Sequence, residues 1–230
     1  MSEATWMIRG QRLTDYLAAC KEAATGDLFH HFKRDKRLTA IFEHTTVEQA
    51  KTCLALILKQ TPWILDKAYT NDLYGDPVMY NFGAGHYYSA PTLQYAAVLS
   101  NLLHLFGPLD GLRIVEIGGG YGGQCRTILD VYKPGSYTIL DLEEPALLQR
   151  RYLGVSGCVR WCAGTNDNYD LCISNYALSE IKDNQHYIDT VLSRCKHGYI
   201  TCNTDFVKLP WEHKILPDIT GEENNKILVW

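Results

Sequence analysis

One stretch constrains the fold more than any other: Ile114, Val115, Glu116, Ile117, Gly118, Gly119, Gly120, Tyr121, Gly122 and Gly123 in succession. Branched apolar residues favour a buried extended strand, and glycine accepts the positive φ that a sharp exit from it requires. Glycines inside a regular element cost about 0.5–1 kcal/mol each, so five of them in six positions read as a strand that empties into a tight turn and then a helix. A backbone without side chains lets a ligand approach closely, and the helix N-terminus offers unpaired N–H groups. This pattern points to a nucleotide-like ligand over the turn.

Around that stretch the chain alternates. Short β-type runs fall at 112–117, 137–140, 159–162, 171–174 and 199–202, with helical spacing at 123–132, 145–153, 176–181 and 185–195. Strands alternating with helices predict an α/β fold with a mostly parallel sheet covered on both faces. Two tail segments, 206–209 and 226–230, predict an antiparallel pair at one edge, which makes seven strands. Residues 1–108 predict a helical extension or cap before a sheet domain at 109–230. Apolar residues recur at helical spacing at Leu13, Leu17 and Cys20, and again at Val47, Cys53, Leu54, Ile57 and Leu58. Thr45 or Thr46 caps the second of these helices ahead of Glu48 and Gln49. A third starts at Ser89, carries Pro91 in its first turn and stops at Gly107 and Pro108. No strand signal competes in this half; residues 74–88 read as a loop rich in Gly, Tyr and Asn.

Composition narrows the partners. Lys and Arg number 22 against 26 Asp and Glu, a net charge of −4, so nothing favours a nucleic acid, whose phosphates demand clustered positive charge. The longest apolar run, 53–58, is far below the ~20 residues that span a bilayer. Glu3 and Arg9 flank a short mixed segment rather than a secretory leader, which predicts a cytoplasmic protein. Eight cysteines without a CxxC pair read as mostly buried thiols.

The glycines alone leave the ligand open. Gly118, Gly120 and Gly123 fit the dinucleotide pattern GxGxxG, whereas Gly118, Gly120 and Gly122 fit the GxGxG pattern of methyltransferases. Glu116, two residues before the first glycine, would repel a pyrophosphate but suits the amino-acid end of S-adenosylmethionine. Asp141, at the end of the second strand, is placed for ribose hydroxyls in either ligand class. A helical segment before the first strand also favours the methyl donor.

Further segments sharpen this reading. EIGGGYGGQ at 116–124, ILDLEEP at 139–145, DLCISNYALSE at 170–180 and NNKILVW at 224–230, with Ser89, Thr92, Leu93 and Tyr95 upstream, resemble the sugar O-methyltransferase family, whose fold is the Rossmann-like class I S-adenosylmethionine-binding one. The resemblance covers roughly residues 75–230. It implies S-adenosylmethionine as donor, S-adenosylhomocysteine as product, and a glycan or sugar-nucleotide hydroxyl as acceptor, for instance on a deoxyhexose such as rhamnose. Such domains occur in bacterial polysaccharide loci and in large DNA viruses that glycosylate their capsids. Association with a second copy stays open.

The donor contacts expected on this reading are Glu116, Gly118, Gly119, Gly120, Tyr121, Gly122, Asp141, Leu142, Thr165, Asn166 and Asn175. Thr165, Asn166 and Asp167 also read as a plain turn. A sugar hydroxyl needs a proton acceptor, and the candidates are Glu180, after the fourth strand, and His86, in the glycine-rich loop. Glu180 reads equally as a helix-start carboxylate, and His86 as a loop histidine bound to a carbonyl. No Asp-Asp pair exists, so a metal-independent reaction is expected. The competing readings are an NAD-linked oxidoreductase and a donor-binding module without catalytic activity.

Overall fold

A computed structural model describes residues 11–42, 44–154, 157–203 and 207–230. The N-terminal reading from Glu3 and Arg9 lies outside these residues. The first elements are helical: α1 (Gln11–Thr25), a 3-10 stretch (Asp27–Arg34), α2 (Lys36–Phe42), α3 (Val47–Gln60) and the short α4 (Leu65–Ala68). A hairpin, β1 (Met79–Asn81) and β2 (Tyr87–Ser89), leads into α5 (Ala90–Phe106). Then come β3 (Arg113–Ile117), α6 (Gly123–Leu129), β4 (Ser136–Leu140), α7 (Glu143–Leu153), β5 (Val159–Cys162) and β6 (Tyr169–Asn175). The chain closes with α8 (Ala177–Glu180), α9 (Gln185–Thr190), β7 (Cys195–Cys202), β8 (Lys214–Pro217) and β9 (Lys226–Val229).

The seven-stranded sheet runs β5-β4-β3-β6-β7-β9-β8. β3, β4, β5, β6 and β7 are parallel, and β9 pairs antiparallel with both β7 and β8. The mostly parallel, helix-flanked sheet expected from the alternation is therefore present. Strand order reverses between β3 and β6, so a crevice opens at their carboxyl ends, where open α/β sheets take their ligands.

One face of the sheet, with Val115, Ile117 and Cys172, packs on α1, the 3-10 stretch and α7. The other, with Ile114, Ile139, Leu171 and Ile173, packs on α3, α5 and α6. Both clusters mix residues from before and after position 108, so the N-terminal helices close the sheet's own core. Local signals set their bounds. Thr46 accepts from Gln49 N while the Gln49 side chain accepts from Thr46 N, a reciprocal capping box. Ser89 caps α5 through Thr92 N, and Gly107 ends it at φ 79°.

Two expectations fail. Residues 74–88 are not a plain loop, because β1 and β2 pair across them; three-residue strands are too short to show alternation. Gly83, Ala84 and Gly85 turn this hairpin with φ of 82°, 49° and 85°. In the tail, Val207 to Leu209 are not a strand, and Phe206 lies outside the described residues. The edge partner of β9 is Lys214–Pro217 instead. Val207 and Leu209 are buried all the same, so their apolar character marks burial and not extension. None of the eight cysteines is in a disulfide, and six are buried.

Candidate active site

The crevice at the carboxyl ends of β3, β4 and β6 is a cavity that opens to solvent, with an empty volume of about 950 Å³, its mouth included. β3 supplies Glu116 and the glycines 118–120, β4 leads to Asp141 and Leu142, and β6 leads to Asn175, Tyr176 and Glu180. The N-terminal half adds Tyr16, Ile41, Phe42 and His44, and α5 adds Gln94 and Tyr95. Among the described lining residues there are three carboxylic acids, one histidine, and no Lys or Arg.

Glu116 sits on the floor, 2% exposed. Its Oε2 accepts from the Tyr137 hydroxyl at 2.9 Å. Burial pushes its carboxyl up to about 8, against the opposing help of that hydrogen bond, so the acid is largely protonated near neutrality. An incoming positive charge would pull the proton off.

Asp141 is bound more tightly than the sequence suggests. It accepts from Gly119 N (3.0 Å), from Leu142 N (2.8 Å) and from the Gln149 amide (2.7 Å), and Gln149 also donates to Gly120 O at 2.9 Å. Burial still raises it to about 6. Asp141 thus ties the glycine turn to α7 while one edge faces the cavity. Asn175 donates to Gln124 at 3.2 Å, and its buried Oδ1 has no hydrogen-bond partner among the described residues.

The turn needs its glycines for distinct reasons. Gly118 and Gly120 take φ of 74° and 57°, which L side chains rarely adopt. A Cβ on Gly123 would overlap the Tyr95 ring. Beneath the turn Tyr121 is fully buried, ringed by Phe32, Phe42, Tyr95 and Tyr152 at 4.9–6.0 Å between centroids. The Lys33 ammonium lies 4.6 Å from its ring, and Asn71 donates to its hydroxyl at 3.1 Å. Tyr121 anchors the turn from below and does not line the cavity; nor does Gly122, the αL N-cap of α6.

Three other expected residues lie elsewhere. His86 sits at the end of the hairpin turn, stacked near Tyr88 at 6.4 Å, outside the cavity lining. Thr165 and Asn166 form the plain turn: Asp167 N donates to Thr165 Oγ1, and Asn166 O accepts from Arg194. Neither lines the cavity. Glu180 does line it, and its Oε1 accepts from Asn203 at 3.1 Å. Among the described residues, no group of three or more His, Cys, Asp or Glu side chains is disposed to hold a metal ion.

Sequence reasoning missed His44 and Tyr176. Tyr176 has φ 67°, a conformation strained for an aromatic residue and typical of functional sites. Its hydroxyl receives a hydrogen bond from Gln94 and donates one to Asp218, both at 3.2 Å; burial and Asp218 raise its pKa. No sequence signal marks the strain. His44 stands in the connection before α3, with nothing around it to separate it from a surface histidine.

No protein-family model matches the chain, and no curated protein does. Solved structures resemble parts of it. An S-adenosylmethionine-dependent methyltransferase from Mesorhizobium loti is 25% identical over 44% of this chain and 51% of its own, with a TM-score of 0.38. The N-methyltransferase NodS from Bradyrhizobium japonicum, in complex with S-adenosyl-L-homocysteine, is 13% identical over 59% of this chain and 83% of its own, with a TM-score of 0.44. An S-adenosylmethionine-dependent methyltransferase from Aquifex aeolicus is 12% identical over 56% and 86%, with a TM-score of 0.41. The chain spans about half the length of the Mesorhizobium protein.

Proposed function

We propose that the chain is an S-adenosylmethionine-dependent O-methyltransferase whose acceptor is a sugar hydroxyl. The observation that carries the donor is the charge of the cavity. Glu116, Asp141 and Glu180 line it with no Lys or Arg beside them, and the orphaned Asn175 Oδ1 adds one more acceptor. Such a floor wants a ligand rich in N–H and O–H donors and positive charge. An ammonium, two ribose hydroxyls and a sulfonium meet that demand, the positive charge drawing the proton off Glu116; a dinucleotide pyrophosphate, with two negative charges, would find no Lys or Arg among the described lining residues to hold it. The same reasoning disfavours the NAD-linked oxidoreductase.

On this reading Glu116 and Asn175 face the amino-acid half of the donor and Asp141 the ribose. The glycine turn lets the donor lie against the backbone. Transfer neutralises the sulfonium's charge, so the protein's main task is alignment of oxygen, carbon and sulfur in line. Tyr16, Tyr95 and Tyr176 line the cavity, and aromatic rings suit the C–H face of a sugar. The sugar itself rests on the family resemblance of 116–124, 139–145 and 170–180.

Calorimetry decides the donor: S-adenosylmethionine is expected to bind and NAD is not. Mass spectrometry of candidate glycans incubated with labelled donor then reads the acceptor as a mass gain of one methyl group. Tight NAD binding with no sulfonium binding would overturn the reading, and donor binding without transfer to any glycan would mark a donor-binding module.

A further inference from the structure

We propose that His44 is the general base of the transfer and that Glu180 and Tyr176 complete an acceptor subsite with it; this deepens the function proposed above and rests on it. His44 is the sole basic side chain among the described residues that line the cavity. Among the described residues neither of its ring nitrogens has a hydrogen-bond partner. Its one ring contact is with Tyr176, edge on at 6.3 Å.

That contact is held from two sides. The next residue, Thr45, donates to Gln94 Oε1; Gln94 donates through Nε2 to the Tyr176 hydroxyl; and Tyr176 donates to the buried Asp218. The chain of bonds fixes the His44 segment to α5 and to the carboxyl end of β6 at once. Tyr176, whose φ is 67°, thus has its hydroxyl bonded on both sides and its ring edge on to His44. Glu180, across the same cavity, already accepts from Asn203, which suits a carboxylate that orients a second sugar hydroxyl.

In the step, the acceptor oxygen forms a bond to the methyl carbon as the carbon–sulfur bond breaks. The bonding pair goes to sulfur, leaving a neutral thioether. The hydroxyl proton passes to a free nitrogen of His44, whose exposed side returns it to water.

The test uses the full chain, labelled S-adenosylmethionine and a panel of hexose and deoxyhexose methyl glycosides. His44→Ala is expected to lower kcat about 10²–10⁴-fold, the usual worth of a general base, with donor affinity by calorimetry unchanged. Free imidazole is expected to restore part of the rate, which a merely structural residue would not allow; His44→Asn, of similar shape, is expected to lose activity equally. Glu180→Gln should raise KM for the glycoside more than it lowers kcat. Retained kcat in both His44 variants overturns the assignment, as does a loss that imidazole leaves untouched, or one confined to Glu180→Gln. Absence of donor binding by the parent chain, or of transfer to any glycoside, strikes the underlying function instead, and the assignment falls with it.

Discussion

Asp141 shows how a residue foreseen for the ligand also holds the fold. Its carboxylate satisfies Gly119 N and Leu142 N and fixes the Gln149 amide that in turn holds Gly120 O. Asp141→Ala therefore leaves buried donors unpaired, at about 1–3 kcal/mol, which for a chain of this size lowers Tm by several degrees. Donor affinity is expected to fall as well. Asp141→Asn, which keeps an acceptor oxygen, is expected to lose less Tm; paired denaturation and calorimetry on the two variants separate the structural share from the binding share. Glu116 makes a different prediction. Its folded value, about 8, lies above that of an exposed glutamate, ~4.3. Its contribution to stability is thus complete below ~4.3 and is lost as pH rises toward 8, because only the folded chain then holds the proton. Glu116→Gln removes this loss, so the variant is expected to gain Tm over the parent at pH 8–9 and not at pH 5. S-adenosylmethionine, whose positive charge prefers the ionised acid, is expected to bind the parent more tightly as pH approaches 8, a slope Glu116→Gln should flatten. Thermal scans and titrations between pH 5 and 9 read both effects.

Among the elements, legibility follows the reach of the signal. β5 starts and ends where the branched and aromatic residues at 159–162 place it, and α5 begins at its Ser89 cap and ends at Gly107, because such signals act through neighbours in sequence. The hairpin is hidden because its three-residue strands show no alternation and pair only with each other, while the end of β2 is tied to Asp72, seventeen residues upstream, which accepts from Ser89 N and Ser89 Oγ. Tyr121, adjacent to the glycines, reads as a ligand contact; its burial depends on Phe32 and Lys33, almost ninety residues upstream. Exposure of Leu58 at 46% departs from its helical pattern, since the buried residues of α3 are Ala50, Cys53, Leu54 and Ile57. The tail illustrates close packing with no local mark. A Cβ on Gly198 in β7 would overlap the Trp230 indole, which stands edge to face with Trp211 at 5.4 Å. Gly198→Ala is expected to displace Trp230 and cost about 1–3 kcal/mol, as overpacking does; a lower Tm with a shift in tryptophan emission checks it.

At the scale of the whole molecule, the N-terminal helices are part of the sheet's core and of the cavity wall together. α1 packs on α7, with Arg151 donating to the carbonyls of Ala23 and Gly26 at 3.1 and 2.8 Å, and buried Lys33 donates to Asn71 O at 2.6 Å. The same segments supply Tyr16, Ile41, Phe42 and His44 to the cavity. The packing predicts that residues 109–230 do not fold without the helical segment that precedes them. Leu13, Tyr16, Leu17, Phe32 and Leu38 are buried against Val115, Ile117, Leu140 and Leu148, and at about 1.5–3 kcal/mol per side chain they account for as much as a typical domain's whole stability of ~5–15 kcal/mol. Deleting residues 1–46 strips that face of the sheet while leaving the glycine turn, Asp141 and Glu180 in the chain. The deleted protein is expected to aggregate on size exclusion, to bind a hydrophobic dye and to show no cooperative thermal transition. A monodisperse fragment that unfolds cooperatively would establish instead that the sheet holds its core alone; its donor affinity would then measure what Tyr16 and Phe42 add to the cavity.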